Sequence, residues 1–310
     1  SDYEAYLVGG SVRDLLLGVQ VVLADGAVVH YGGRVVKIVA GYDMNKLFIG
    51  SLGVFGVVLE TTYRLAALPE EDHLLAVTFA SLTQAAAAVQ AVRSSSLLPS
   101  ALLLLSASVA TAWNNLLPLG IQPPQVLLCF NGDGLQASVA RQIQEVRTLC
   151  QRAGGGEDVL LAGSTLQAFW TQQEAWCQAA SPPEPPSLQV RLGMPPAYLP
   201  RMLAQLGQTP PWCPQPITWL ADAAQGQIWA RLPLPSPPVE SAVTALRQWL
   251  YGLREHLRAQ TGYAVIESAP LSLHPQLDVW GTPAGAGLLT RYKHHFDPHA
   301  VLNPGRYVAG

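Results

Sequence analysis

Three glycines, Gly50, Gly53 and Gly56, recur at every third residue of KLFIGSLGVFGVVLETTYRLAALP, residues 46–69, directly ahead of a run of alternating side chains. Glycine lacks a Cβ, so its backbone N–H and C=O groups can approach a ligand that a side chain would hold away. Backbone donors at such a turn suit an anionic or adenine-bearing cofactor. The same spacing also suits a β-bulge or a close packing contact, and the residues alone leave both readings open. Neither GxGxxG between a strand and a helix nor GxxxxGK[ST] occurs, so no dehydrogenase-type or P-loop nucleotide fingerprint is present.

Other candidate groups are scattered. His294 and His295 are adjacent, which on a helix points them about 100° apart, a poor geometry for a shared site and a natural one for a solvated face. His274, in LSLHPQLDVW, is a base by type with no partner residue beside it. Arg191 and Arg231 could each grip a carboxylate with two hydrogen bonds, or sit as strand-edge surface residues. Asn303 lies in LNPGR, where Asn-Pro-Gly makes a turn. Trp170, Trp176, Trp249 and Trp280 occupy apolar positions and read as core. No catalytic base and no metal ligand can be named.

The elements that must position these groups fall into two parts. The first, to about Pro69, is strand-rich. Strands 19–23 and 28–31 flank Asp25-Gly26, a hairpin signal because such pairs accept the positive φ of a primed turn. Asp43 can cap a short helix over 45–48, and a strand over 57–65 puts Val57, Leu59, Thr61, Tyr63 and Leu65 on one face. The second part begins with strand 74–79, a Ser81-capped helix to Arg93, and strands 101–105 and 125–130. Helix 135–152 follows, apolar at Leu135, Val139, Ile143, Val146 and Leu149 and stopped by glycines 154–156, then helix 165–179 and the proline-rich linker 181–186. The order then recurs as strand 188–192, helix 197–206, strands 217–220 and 227–232, helix 239–258 and strand 263–268. Two β-α-β-β-α-β units in tandem are the pattern of a ferredoxin-like α+β domain.

Composition excludes whole classes of partner. Charged residues make up 13% of the 310 and apolar residues 49%, so the surface is polar through Gln, Ser, Thr and Pro or is partly covered by a partner. A net charge of −3 with no basic run leaves no electrostatic footprint for nucleic acid or anionic lipid. The uncharged stretch 95–131 is broken by prolines and holds no apolar run near the roughly 20 residues of a spanning helix, so no transmembrane segment is expected. Cys129, Cys150, Cys177 and Cys213 lack metal-type spacing and read as free, mostly buried thiols of a cytosolic protein, which supplies no iron–sulfur ligands of its own.

Three segments carry a family resemblance: GSVRDLLLGVQVVLADGAVVHYGGRVVKIVAGYD (10–43), GYDMNKLFIGSLGVFGVVLETTYRLAALP (41–69) and FDPHAVLNPGRYVAG (296–310). Together they resemble the FAD-linked oxidases of the vanillyl-alcohol oxidase type, with a PCMH-type FAD-binding domain. Within them the match is greatest to the E subunit of bacterial glycolate oxidase, also called glycolate dehydrogenase. The resemblance implies the second subdomain of an FAD-binding domain over 1–69, a cap or substrate domain over 70–295, and a segment over 296–310 that returns to the flavin. The family's first subdomain, with its pyrophosphate loop, is not represented in these residues. FAD contacts carry over to Gly50, Ser51, Gly53, Gly56 and Val57, to Gly10 and Ser11 at the edge of the same subdomain, and to Asn303 in the tail.

Departures from the family pattern remove hydrogen-bonding side chains. Ile38 stands where Asn is usual, Leu52 where an acid or other polar residue is frequent, and Val54-Phe55 replace Thr-Leu. Catalytic relatives carry a histidine-rich segment that binds the hydroxy acid or a metal, whereas ADAAQGQIWARL (221–232) holds no histidine. The resemblance therefore implies an FAD-binding subunit that assists oxidation of glycolate to glyoxylate in the cytoplasm, alongside a catalytic flavin subunit and an iron–sulfur subunit, with any membrane association made through those partners. The alternatives are a structural subunit that has lost FAD, and a stand-alone flavin enzyme for another hydroxy acid or alcohol.

Overall fold

Strand and helix signals of the two parts translate into two compact units, Ser1–Ala67 with Thr282–Gly310, and Leu68–Gly281. The structure, a computed structural model, describes residues 12–33, 43–120, 122, 125–178, 186–235, 240–281 and 285–307.

The first unit opens with α1 (Val12–Leu15), β1 (Leu16–Val22) and β2 (Val28–Gly32), continues with α2 (Asn45–Phe48), and adds β3 (Val57–Tyr63) to a three-stranded antiparallel sheet in the order β2-β1-β3. The Asp25-Gly26 hairpin forms, with a different turn from the primed one expected. Gly26 alone takes a positive φ, of 84°, and donates its N–H to Leu23 O at 3.0 Å, while Leu23 donates to Ala27 O at 2.9 Å. This is a three-residue loop closed by a glycine bulge, which confines the left-handed conformation to the one residue that adopts it without steric cost. The strand expected over 57–65 forms as β3, paired with β1 alone among the described strands, and Val57, Val58 and Leu59 from both of its faces are exposed.

The second unit carries β4 (Glu71–Phe79), α3 (Leu82–Arg93), β5 (Ala101–Ser106), α4 (Ala107–Ala112), β6 (Val126–Gly134), α5 (Gln136–Arg152), β7 (Gly155–Ala162) and α6 (Gly163–Gln178). It continues with β8 (Ser187–Gly193), a 3-10 turn over Pro196–Tyr198, α7 (Leu199–Leu206), β9 (Thr218–Asp222), β10 (Gln227–Pro233), α8 (Glu240–Arg258), β11 (Tyr263–Ser268) and a 3-10 turn over Leu271–Gln276. All eight strands form one sheet, in the order β11-β8-β10-β9-β5-β6-β4-β7. In each half the fourth strand neighbours the first, then come the third and the second, which is the ferredoxin-like order. The halves join where β5 and β9 pair antiparallel, Leu104 opposite Ala221.

Local chemistry explains most of these boundaries. Ser81 caps α3 by accepting the Gln84 N–H at 3.4 Å. Along α5, Val139, Ile143, Val146 and Cys150 face the core, but Leu135, read as the first core position, is the N-cap residue and stands 66% exposed. Two elements escape the sequence pattern. Glycines 155 and 156, read as a helix stop, open strand β7, and α4 is a short helix of small residues whose N-cap Ser106 makes no capping bond, its hydroxyl accepting the Trp219 N–H instead.

One continuous core packs α3, α5, α7 and α8 on one face of the sheet across both halves. A second, on the opposite face of the first half, gathers Leu74, Leu103, Leu105 and Leu127 beneath α4 and α6, with Trp113 edge-on to Phe169 at 5.5 Å. The chain then returns to the first unit from Thr282 onward, ahead of the boundary at 296 expected from the tail motif, because α9 (Ala286–Phe296) packs Leu289 and Phe296 against the small core of that unit.

All eight tryptophans fall within residues 68–281, so their emission reports unfolding of the second unit alone. Phe169→Ala, which empties a site with no exposed surface between two tryptophan rings, is expected to lower the stability of that unit by about 3–5 kcal/mol in tryptophan-monitored denaturation. Gly226→Ala is expected to be destabilising in the same assay, since Gly226 has φ of 72° and a Cβ there would lie 2.0 Å from Met194 O.

Candidate functional site

The glycine turn and the C-terminal tail, from opposite ends of the sequence, form one groove in the first unit. Its cavity of about 440 Å³ is bounded on one side by Ser51, Leu52, Gly53, Gly56, Val57 and Val58, with Phe48 at its base, and on the other by Val301, Leu302 and Asn303. Five of the expected contact residues, Ser51, Gly53, Gly56, Val57 and Asn303, therefore meet at one place. Gly50 lies in the same turn at φ of 73°, outside the groove lining. Gly10 and Ser11 lie outside the described residues, as does Ile38.

Two of the three glycines divide between the two readings that their spacing left open. A Cβ at Gly56 would lie 2.3 Å from Val21 Cγ1 and 3.0 Å from Val22 O, so this glycine is required for packing against β1. Gly53 has φ of 75°, and a Cβ there would meet Asn303 Nδ2 at 2.9 Å, across the groove. The absence of a side chain at Gly53 keeps the groove open, and this cradle is the feature that fits a cofactor. Leu52, just ahead of Gly53, takes φ of 53° and Asn303 φ of 42°, left-handed conformations that non-glycine residues hold at a cost of about 1–3 kcal/mol each. Asn303 Nδ2 donates to Leu52 O at 2.6 Å and so ties the two strained residues together.

The remaining candidates sit elsewhere or are already engaged. His274 is exposed in the 3-10 turn over Leu271–Gln276, and His294 and His295 are exposed on α9, as their spacing implied. Arg191 Nε is 2.8 Å from Glu267 Oε1 but is not aligned for a hydrogen bond, so the contact is an ion pair. Arg231 lies over the Trp176 ring at 4.4 Å and donates to Trp176 O at 2.5 Å and Gln189 Oε1 at 3.1 Å. Both arginines are occupied by the protein's own groups. The histidine-free segment 221–232 forms the β9–β10 hairpin, where Asp222 Oδ1 accepts the Ala224 and Gln225 N–H groups. Among the described residues no cluster of three or more His, Cys, Asp or Glu could hold a metal. Burial pushes the Cys150 and Cys177 thiols up to about 12, which makes them inert.

Sequence reasoning missed the two charges that hold the tail wall. Lys293, on α9, is 4% exposed and donates to Val54 O at 3.0 Å, Leu302 O at 2.6 Å and Asp297 Oδ2 at 2.6 Å. Asp297, 2% exposed, accepts the Val301 N–H at 2.9 Å and the Leu302 N–H at 2.7 Å. The i, i+4 spacing in a charge-poor chain was the available signal. Burial acts to raise the Asp297 pKa; the hydrogen bonds from Lys293 and from the Leu302 and Val301 N–H groups outweigh it and hold the carboxyl at about 2. A folded pKa below the unfolded value of about 3.9 stabilises the fold above about pH 4, and that contribution is lost as pH falls toward about 2. Asp297→Asn is expected to flatten this acid limb in a pH series of thermal melts followed by far-UV circular dichroism.

Comparisons with known proteins agree with this architecture. Residues 68–209 match the family "FAD linked oxidases, C-terminal domain". The chain is similar to glycolate oxidase subunit GlcD of Bacillus subtilis, 29% identical over 161 residues, 52% of this chain and 34% of that protein. It is also similar to glycolate oxidase subunit GlcE of Escherichia coli, 42% identical over 60 residues, 19% of this chain and 17% of that protein. The chain spans less than two thirds of the length of the curated relatives it matches. Among solved structures, 4-ethylphenol oxidase from Gulosibacter chungangensis shares the fold with a TM-score of 0.61 at 15% identity, covering 94% of this chain and 65% of that one. Residues 68–209 thus match a domain found in FAD-linked oxidases, and the fold is one shared with 4-ethylphenol oxidase.

Proposed function

We propose that the chain is an FAD-binding subunit of a glycolate oxidase or dehydrogenase complex, assisting oxidation of a small 2-hydroxy acid, glycolate to glyoxylate. The observation that carries this reading is the groove between the glycine turn and Asn303, which brings together residues that the family resemblance assigns to the cofactor. Bound FAD would supply the hydride-accepting chemistry, while the protein supplies binding and orientation. Gly50, Ser51, Gly53, Gly56, Val57 and Asn303 would line the adenine-bearing side of the cofactor, with Gly10 and Ser11 at the edge of the same unit. Backbone groups of the turn and the apolar rim of Val57, Val58 and Val301 would lie along it.

The similarity to GlcE and GlcD supports membership of a glycolate oxidase complex; the family resemblance adds, as partners, a second flavin subunit carrying the catalytic histidines and an iron–sulfur subunit. The exposed histidines and engaged arginines of this chain favour catalysis by such a partner over catalysis by this chain alone. A second reading, a structural subunit without FAD, draws on the apolar Leu52 at the groove, 42% exposed where family members often carry a polar residue.

Flavin absorbance of the purified protein separates these readings. Bound FAD with a characteristic spectrum is expected, and a chain that stays colourless in excess FAD would sink the FAD assignment. Gly53→Ala, which places a methyl group against Asn303 in a left-handed position, is expected to weaken FAD binding by tenfold or more, or about 1.4 kcal/mol, in a flavin fluorescence titration. Copurification with an iron–sulfur protein would support the complex, and glycolate-dependent dye reduction by this chain alone would favour a stand-alone enzyme.

A further inference from the structure

We infer that Lys293 is a positioning residue for the groove, whose buried ammonium fixes the separation of the glycine-turn wall from the tail wall. The inference rests on the reading that this groove holds FAD. An ammonium carries three hydrogens, and the three acceptors of Lys293 come from three places: Val54 O beside the glycine turn, Leu302 O in the tail, and Asp297 Oδ2 one helical turn along. An ion pair with Asp297 alone could form at i, i+4 without touching the glycine turn. The additional bond to Val54 O, 239 residues away in sequence, is what couples the two walls.

The other tie across the groove, from Asn303 to Leu52 O, is exposed to competing water, and both of its residues hold positive φ. The tail wall in turn depends on Asp297, which holds the Val301 and Leu302 N–H groups just ahead of Asn303. Removing the ammonium therefore frees Leu302 O and Val54 O together and leaves the exposed Asn303 bond, with the less directional packing of Phe296 on Phe48 and Phe55, to set the width of the groove. Lys293 lies beneath the groove and not among its lining residues, so its effect on a ligand is indirect.

Lys293→Met keeps most of the apolar stem and removes all three donors. In the FAD-free 310-residue chain, amide hydrogen exchange is expected to accelerate in the peptide 48–56, across the groove, as well as in the adjoining peptide 297–307. FAD affinity in a fluorescence titration is expected to fall about tenfold or more. Unchanged exchange in the peptide 48–56 would overturn the inference, since a purely local role in the tail would leave that peptide untouched. The double variant carrying Lys293→Met and Asp297→Asn removes the carboxylate charge that the single variant leaves unpaired. It is expected to remain weak, and recovery of wild-type exchange and affinity would also overturn the inference. Failure of the wild-type chain to bind FAD would count against the reading of the groove, and the exchange data alone would then decide the tie. Tryptophan emission reports independently that residues 68–281 remain folded in each variant.

Discussion

A buried ammonium is tolerated only where every one of its hydrogens meets an acceptor and its charge meets a counter-charge. Lys293 satisfies both conditions through residues from opposite ends of the chain, and the small first unit depends on that arrangement. Among the described residues its sheet has three strands, and its core is a few aromatic and aliphatic side chains around Phe48, Phe55 and Phe296. Such a core offers little hydrophobic area to hold a tail that arrives after 214 residues of another unit. A satisfied ion pair adds directional bonds to what the core supplies, and it anchors Val54 and Leu302, the neighbours of the strained turn and tail that Asn303 and Leu52 tie directly.

The division of glycine roles shows how one motif can meet several constraints. Gly56 is fixed by its contact with β1, whereas Gly53 is fixed by what a side chain would do to the space facing Asn303. A substitution at the first would disturb the sheet, and one at the second would disturb the groove. The regular spacing of the glycines therefore encodes a turn that packs on one side and stays open on the other.

Much of the architecture could be read from local signals. The Ser81 cap, the apolar stripe of α5 and the repeated strand-helix order led to the ferredoxin-like halves, because each signal is contained within a few residues. Strand β7 was missed because GGEDVLLA begins with glycines that also terminate a helix, and its pairing with β4 is a contact at long range. The unburied faces of β3 could not be read from alternation, which records which residues share a face and not whether anything covers it. In the site, the glycine turn and Asn303 were visible as motifs, while Lys293 and Asp297 acquire their importance only when residue 54 and residue 302 become neighbours.

The joining of the two sheet halves through β5 and β9 makes one platform from two similar units, yet only one face is treated alike in both. Helices cover the shared core along its whole length, whereas α4 and α6 cover the opposite face of the first half. On that opposite face the second half presents Gln189, Arg191, Arg231 and Glu267, linked to one another and to Trp176. Gln189 is nevertheless buried, so this face is covered through polar and ionic contacts where the first half uses apolar ones. Because each of these side chains is held by another, substitutions on that face are expected to be coupled.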